Sequence, residues 1–105
     1  MSKTEEERVH QRYPLKLPVE VAIGDRVFVG ESVNVSVGGM LVAVAEPVTF
    51  GSTVRLKFRL PALKNETQVE AAVRWVANGK IGVQFLGLRA IDVWGLNQIF
   101  QGDSQ

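Results

Sequence analysis

The chain has 105 residues, of which 46% are hydrophobic and 22% charged. That is the size and make-up of one globular domain, so neither a separate catalytic domain nor global disorder is expected, and roughly 65% of the unfolded surface should be buried. Twelve Lys and Arg against eleven Asp and Glu leave a formal net charge of +1, too little to coat a polyanion; Cys is absent and His10 is the single histidine, which excludes disulfides, thiolate nucleophiles and Cys- or His-rich zinc sites.

Residues 1–13 begin Met-Ser-Lys-Thr-Glu-Glu-Glu-Arg, charged with no apolar run behind, so a secretory signal is not expected and a cytoplasmic location is. No stretch anywhere approaches about eighteen consecutive apolar residues, and membrane insertion is not expected. The segment carries no alternating pattern and reads as a mobile tail, with the folded domain over 14–105.

From Leu15 the apolar residues recur with period two. Leu15, Leu17, Val19, Val21 and Ile23 share one face of a first strand, and Gly24-Asp25 supplies a turn. The second strand, 26–35, sets Val27, Val29, Val33 and Val35 on one side and Phe28, Gly30, Ser32 and Asn34 on the other. Ser36-Val37-Gly38-Gly39 marks a turn at which glycine tolerates positive φ, followed by a third strand over 40–45, closed by Glu46-Pro47.

A fourth strand, 53–60, turns Val54, Leu56, Phe58 and Leu60 inward and Arg55, Lys57 and Arg59 outward. The fifth, 68–77, aligns Val69, Ala71, Val73 and Trp75; Asn78-Gly79 is a strong two-residue hairpin signal leading to a sixth over 80–86. From Ala90 to Gln101 the period changes. Ile91, Trp94 and Ile99, with Val93, Leu96 and Phe100 beside them, predict a short amphipathic helix with Asp92 in its first turn or capping it and Gly102 as its stop. Short turns leave no room for the crossovers of a parallel sheet, so the expected class is mainly β: a six-stranded antiparallel β-barrel with a C-terminal α-helix.

Enzymatic constellations are missing. There is no Walker loop, no dinucleotide-binding glycine motif and no nucleophile elbow; His10 lies in the tail, and Glu5, Glu6 and Glu7 form a solvated run. An enzyme is not expected, nor a cofactor.

Two features remain. Arg8 and Arg12 are four apart in the tail, and Asn34-Val35-Ser36-Val37-Gly38-Gly39 closes the second strand. Alone, the arginine pair reads as solvated charge and the second motif as a self-bonded turn. Together, ahead of Leu17-Pro18-Val19, Gly38-Gly39-Met40 and Ile81-Gly82-Val83-Gln84-Phe85, they resemble the PilZ family of bacterial cyclic di-GMP receptors, whose signature is Arg-x-x-x-Arg followed by Asp/Asn-x-Ser-x-x-Gly. The resemblance implies a split-barrel type of fold and a cyclic di-GMP site at Arg8, Arg12, Asn34, Ser36 and Gly39.

The chemistry suits that ligand. A guanidinium fork bonds a phosphate oxygen pair or the guanine O6/N7 edge bidentately, or stacks on a purine face. Asn34 offers a donor and an acceptor, Ser36 a hydroxyl, and Gly39 close backbone approach. In some relatives an aromatic at the place of Trp75 walls a guanine, whereas its spacing with Val69, Ala71 and Val73 reads as barrel core; Arg74 falls on the opposite, solvated face. The residue before the first arginine is Glu7, an acid beside phosphates, which favours one nucleotide per chain.

A downstream protein partner is implied, in motility, adhesion, exopolysaccharide production or development. The alternative is an interaction scaffold of the same fold that works without nucleotide. Arg55, Lys57, Arg59 and Lys64 form a cationic stretch that reads as a solvated face or a dock for an acidic partner. With no aromatics interleaved on that face, DNA or RNA binding is not expected.

Overall fold

In the computed structural model, which describes residues 12–103, the alternating segments become seven strands and a helix. They are β1 (Tyr13–Pro14), β2 (Pro18–Ile23), β3 (Arg26–Val35), β4 (Gly39–Ala43), β5 (Thr53–Phe58), β6 (Thr67–Ala77), β7 (Lys80–Phe85) and α1 (Ala90–Asp103). Neighbours run in the order β3, β2, β5, β6, β7, β4, and β4 returns to β3; every pairing is antiparallel. The expected six-stranded barrel is therefore closed, with no free sheet end to cap. Val19, Val21, Met40, Val42, Leu56, Val73 and Ile81 fill it, each fully buried.

Both hairpin signals hold. Ile23 pairs with Arg26 across Gly24 (φ 58°), and Ala77 pairs with Lys80 across Asn78 (φ 56°) and Gly79 (φ 75°), the two positive φ angles of a type I′ turn.

The extra strand comes from the segment expected as tail. Tyr13 pairs with Val35 and Pro14 with Asn34, so strand pairing is already present ahead of Leu15; residues 1–11 lie outside the described residues. Leu15 and Leu17 are not in β2 but in the link to it. Ser32, buried inside, holds that link: its hydroxyl accepts from the Leu17 N–H at 3.0 Å and donates to the Leu15 carbonyl.

On β3 the apolar-looking face is the outer one. Val27 and Val29 are 62% and 67% exposed, whereas Phe28, Gly30 and Ser32 point inward. A shift in register against β4 between Ser32 and Asn34 then turns Val35 into the core, which is why one face does not hold all four valines. The inward position 30 is a glycine because a Cβ there would stand 2.5 Å from the Ala43 carbonyl oxygen.

The inward face of α1 is also disguised. Asp92, Gly95 and Leu96 are buried and Ile99 and Phe100 pack on the core, while Ile91 and Trp94 are half exposed, contrary to the expected apolar stripe. The cause is that two inward positions are not apolar. A Cβ on Gly95 would come within 2.9 Å of Leu63 Cγ, so the helix lies against the Leu60–Leu63 turn only because Gly stands there. Asp92 is held by the Thr67 hydroxyl (2.8 Å), the Arg89 N–H (3.1 Å) and the Arg89 guanidinium (3.0 Å to each oxygen). Its bond back to the Arg89 amide is half of a capping box and fixes the helix start. Gly102, the expected stop, lies within the helix, since glycine weakens a helix without compelling it to end.

Candidate functional site

The β3–β4 turn is built on Ser36. Its hydroxyl oxygen accepts from the N–H groups of Gly38 and Gly39 at 3.2 Å each, and its own N–H donates to the Gly39 carbonyl at 2.8 Å. The side chain is buried, so the hydroxyl serves the turn first. Neither Gly38 nor Gly39 has positive φ, contrary to the expectation for this turn. Gly39 is required for space: a Cβ would stand 2.1 Å from the Val83 carbonyl oxygen, and β4 could not close on β7.

The pairing of β1 with β3 brings Arg12 beside Asn34, and Arg12 Nη1 donates to Asn34 Oδ1 at 2.9 Å. The two signature motifs, separated by 22 residues, thus meet at one point. Arg8 lies outside the described residues.

Trp75 leaves the barrel interior. The register of β6 on β7 slips between Val73, opposite Val83, and Trp75, opposite Gly82. This bulge breaks the alternation: Val73 is fully buried and Trp75 is 46% exposed, which overturns the core reading of Trp75. Its β-carbon would sit 3.3 Å from a Cβ on Gly82, so bare backbone lets the indole lie down on β7. The same bulge turns Arg74 to the same side, rather than to an opposite, solvated face. Its Nε donates to Gln84 Oε1 at 3.0 Å.

These side chains line one open cleft of about 330 Å³, formed by Arg12, Ser36, Gly38, Gly39, Arg74, Trp75, Gly82, Val83 and Gln84. A neighbouring hollow of about 270 Å³ is lined by Arg12, Asn34, Leu41, Trp75 and Gly82. They share Arg12, Trp75 and Gly82, so the indole is a wall of both. Among the described residues no carboxylate lines either; the Arg12 guanidinium lines both and that of Arg74 the first. Such a surface offers an aromatic face for a planar ring and N–H donors for anionic or carbonyl oxygens.

Sequence reading reached Arg12, Asn34, Ser36, Gly39 and Trp75, and missed Gly38, Leu41, Arg74, Gly82, Val83 and Gln84. One signal for Gly82 was present. Counting back from a two-residue Asn78-Gly79 turn puts Trp75 opposite Gly82; nothing in the count announces the bulge that frees Arg74.

The sequence profile of the PilZ domain matches residues 6–101. The chain belongs to the PilZ family. PilZ domains are a family of cyclic di-GMP receptors, binding or adaptor domains rather than enzymes. The PilZ domain of CeSA from a cellulose-synthesizing bacterium superposes with a TM-score of 0.68 at 20% identity, covering 90% of this chain and 99% of that one. The Bacillus subtilis inhibitor of motility (MotI/DgrA) gives 0.72 at 23% identity over 88% of this chain, which spans 51% of that protein. Both likenesses are of fold. No curated protein matches significantly. Among the described residues no helix of this PilZ chain is long and apolar enough to cross a membrane.

Proposed function

We propose that this PilZ chain is a cytoplasmic receptor for cyclic di-GMP that signals to a partner protein through the surface it presents when the nucleotide is bound. The observation that carries the reading is the Arg12–Asn34 hydrogen bond at the rim of a cleft walled by Trp75. Arg12 uses one N–H on Asn34 and has others for a phosphate or a guanine O6/N7 edge; Asn34 keeps its amide N–H₂ for a guanine acceptor. Trp75 supplies a stacking face. Ser36 and Gly39 act by shaping the turn so that backbone approaches the ligand. Arg8, by its place in the signature, is assigned the second tail contact.

Isothermal titration tests this. Cyclic di-GMP should bind with low-micromolar or better affinity, about −8 kcal/mol or stronger, and GTP and cyclic di-AMP should bind far more weakly. No heat at about a hundred micromolar cyclic di-GMP overturns the reading and leaves the nucleotide-independent scaffold.

A further inference from the structure

Arg74 differs from Arg26, Arg55 and Lys57, three other cations on the barrel's strands, in what holds it. Arg26 is tied to Glu46, Arg55 to Glu70 and Lys57 to Glu20, each by a surface ion pair with a carboxylate. Arg74 is held by a neutral group, Gln84, through Nε alone. Among the described residues its two terminal nitrogens have no partner and no carboxylate lines the cleft into which it is placed. A guanidinium fixed at Nε with both terminal nitrogens open is a two-pronged donor held in one orientation. The bulge that frees Trp75 also puts Arg74 beside it; without it, Arg74 and Trp75 would project from opposite faces of β6.

We infer that Arg74, oriented by Gln84, is a second grip of the cleft alongside Arg12, taking a paired acceptor of the bound cyclic dinucleotide, either the oxygens of a phosphate or the O6/N7 edge of a guanine. The inference rests on the cyclic di-GMP reading and adds to it a ligand contact outside both signature motifs. Gln84 is a positioning residue.

The test is titration of the wild type, Arg74→Ala, Arg74→Lys and Gln84→Glu with cyclic di-GMP, each checked by thermal unfolding without ligand. Arg74→Ala should weaken binding about tenfold or more with an unchanged Tm, since the side chain is exposed. Gln84→Glu should strengthen the Arg74 contact by adding a charge and yet weaken binding, because the cation is then neutralised. A merely structural pair would do the reverse, gaining stability at constant affinity. Recovery by Arg74→Lys identifies the phosphate as the acceptor, because a point charge suffices there; failure to recover identifies the guanine edge, which needs the fork. Arg74→Ala binding within twofold of the wild type overturns the inference while leaving the receptor reading intact. A wild type that takes up no nucleotide overturns both.

Discussion

Tyr13 lies face to face with Phe100, ring centroids 4.2 Å apart and planes 17° from parallel, so the strand that carries Arg12 to the cleft is stacked on the C-terminal helix. The contact joins the first and last described parts of the fold. It also ties the position of the cleft's arginine to the seating of α1. Phe100→Ala should therefore lower Tm by about 5–10 °C through lost stacking and burial, and weaken cyclic di-GMP binding several-fold although Phe100 lines neither cleft. Unaltered affinity in the destabilised variant would show that β1 pairing alone places Arg12.

Arg12→Ala and Arg8→Ala should each reduce affinity by about 10- to 100-fold, the loss expected for charge-assisted bonds. Ligand-free stability should hardly change in Arg12→Ala, because its bond to Asn34 is exposed and water replaces it. Titration paired with thermal unfolding separates the two effects; an Arg12 variant that unfolds the barrel would make that residue structural.

Gly39→Ala should be far more damaging than its one methyl group suggests. The new carbon would stand 2.1 Å from the Val83 carbonyl oxygen, which is backbone and cannot rotate away. A loss of about 3 kcal/mol or more, seen as a large fall in Tm or as insoluble protein, is expected. Ser36→Ala, which leaves two amides of the same turn without their acceptor, should cost about 1–2 kcal/mol. A Gly39→Ala variant as stable as the wild type would mean that β4 and β7 can part at this point.

The barrel was legible wherever alternation and a named turn coincided. Val54, Leu56 and Phe58 alternate with Arg55 and Lys57, and Asn78-Gly79 announces its own hairpin, because a period of two and a positive-φ turn are local properties of the chain. What escaped were positions set by contacts distant in sequence. The register slips at Ser32–Asn34 and Val73–Trp75 change which face a residue takes without altering composition, and so hid the exposure of Val27, Val29 and Trp75. Asp92 and Gly95 occupy the buried stripe of α1 for reasons that reside in Thr67, Arg89 and Leu63, so the helix's apolar residues alone pointed to the wrong face. At the site, the motifs found Arg12 and Asn34, and the bulge supplied Arg74.

Asp92 predicts how the fold responds to acid. Burial opposes its charge, but hydrogen bonds from the Arg89 guanidinium, the Thr67 hydroxyl and the Arg89 N–H outweigh that and hold its carboxyl below the ordinary range. A carboxyl whose folded pKa is depressed binds protons more readily when unfolded. Its stabilising share is thus fully present above the unfolded value of about 3.9 and is lost as pH falls through the lower folded value. Asp92→Asn should lower Tm at pH 7 and narrow the gap to the wild type as the pH is taken from about 5 to 2. A gap constant over that range would show that the charge on Asp92 adds nothing.

The cleft draws on four separate pieces of chain, Arg12, the 36–39 turn, the β6 bulge and the middle of β7, whereas the opposite wall of the barrel, β2 and β5, contributes no lining residue. If nucleotide is read out as a changed surface with the barrel itself unmoved, its effect on amide exchange should follow that division. Cyclic di-GMP should slow exchange at 12–14, at 34–40 and around 74–76, and leave Val54, Leu56 and Phe58 of β5 as slow as before, since those residues are buried in the core away from the cleft. Mass-spectrometric exchange at saturating ligand reads both sets at once. Slowing spread evenly over β2 and β5 would mean that the ligand stabilises the barrel globally, and no slowing at 34–40 would place the nucleotide away from the Ser36 turn. The expected pattern would confine the signal to the cleft rim, where Arg12 and Asn34 meet and where a partner protein could tell the bound state from the free one.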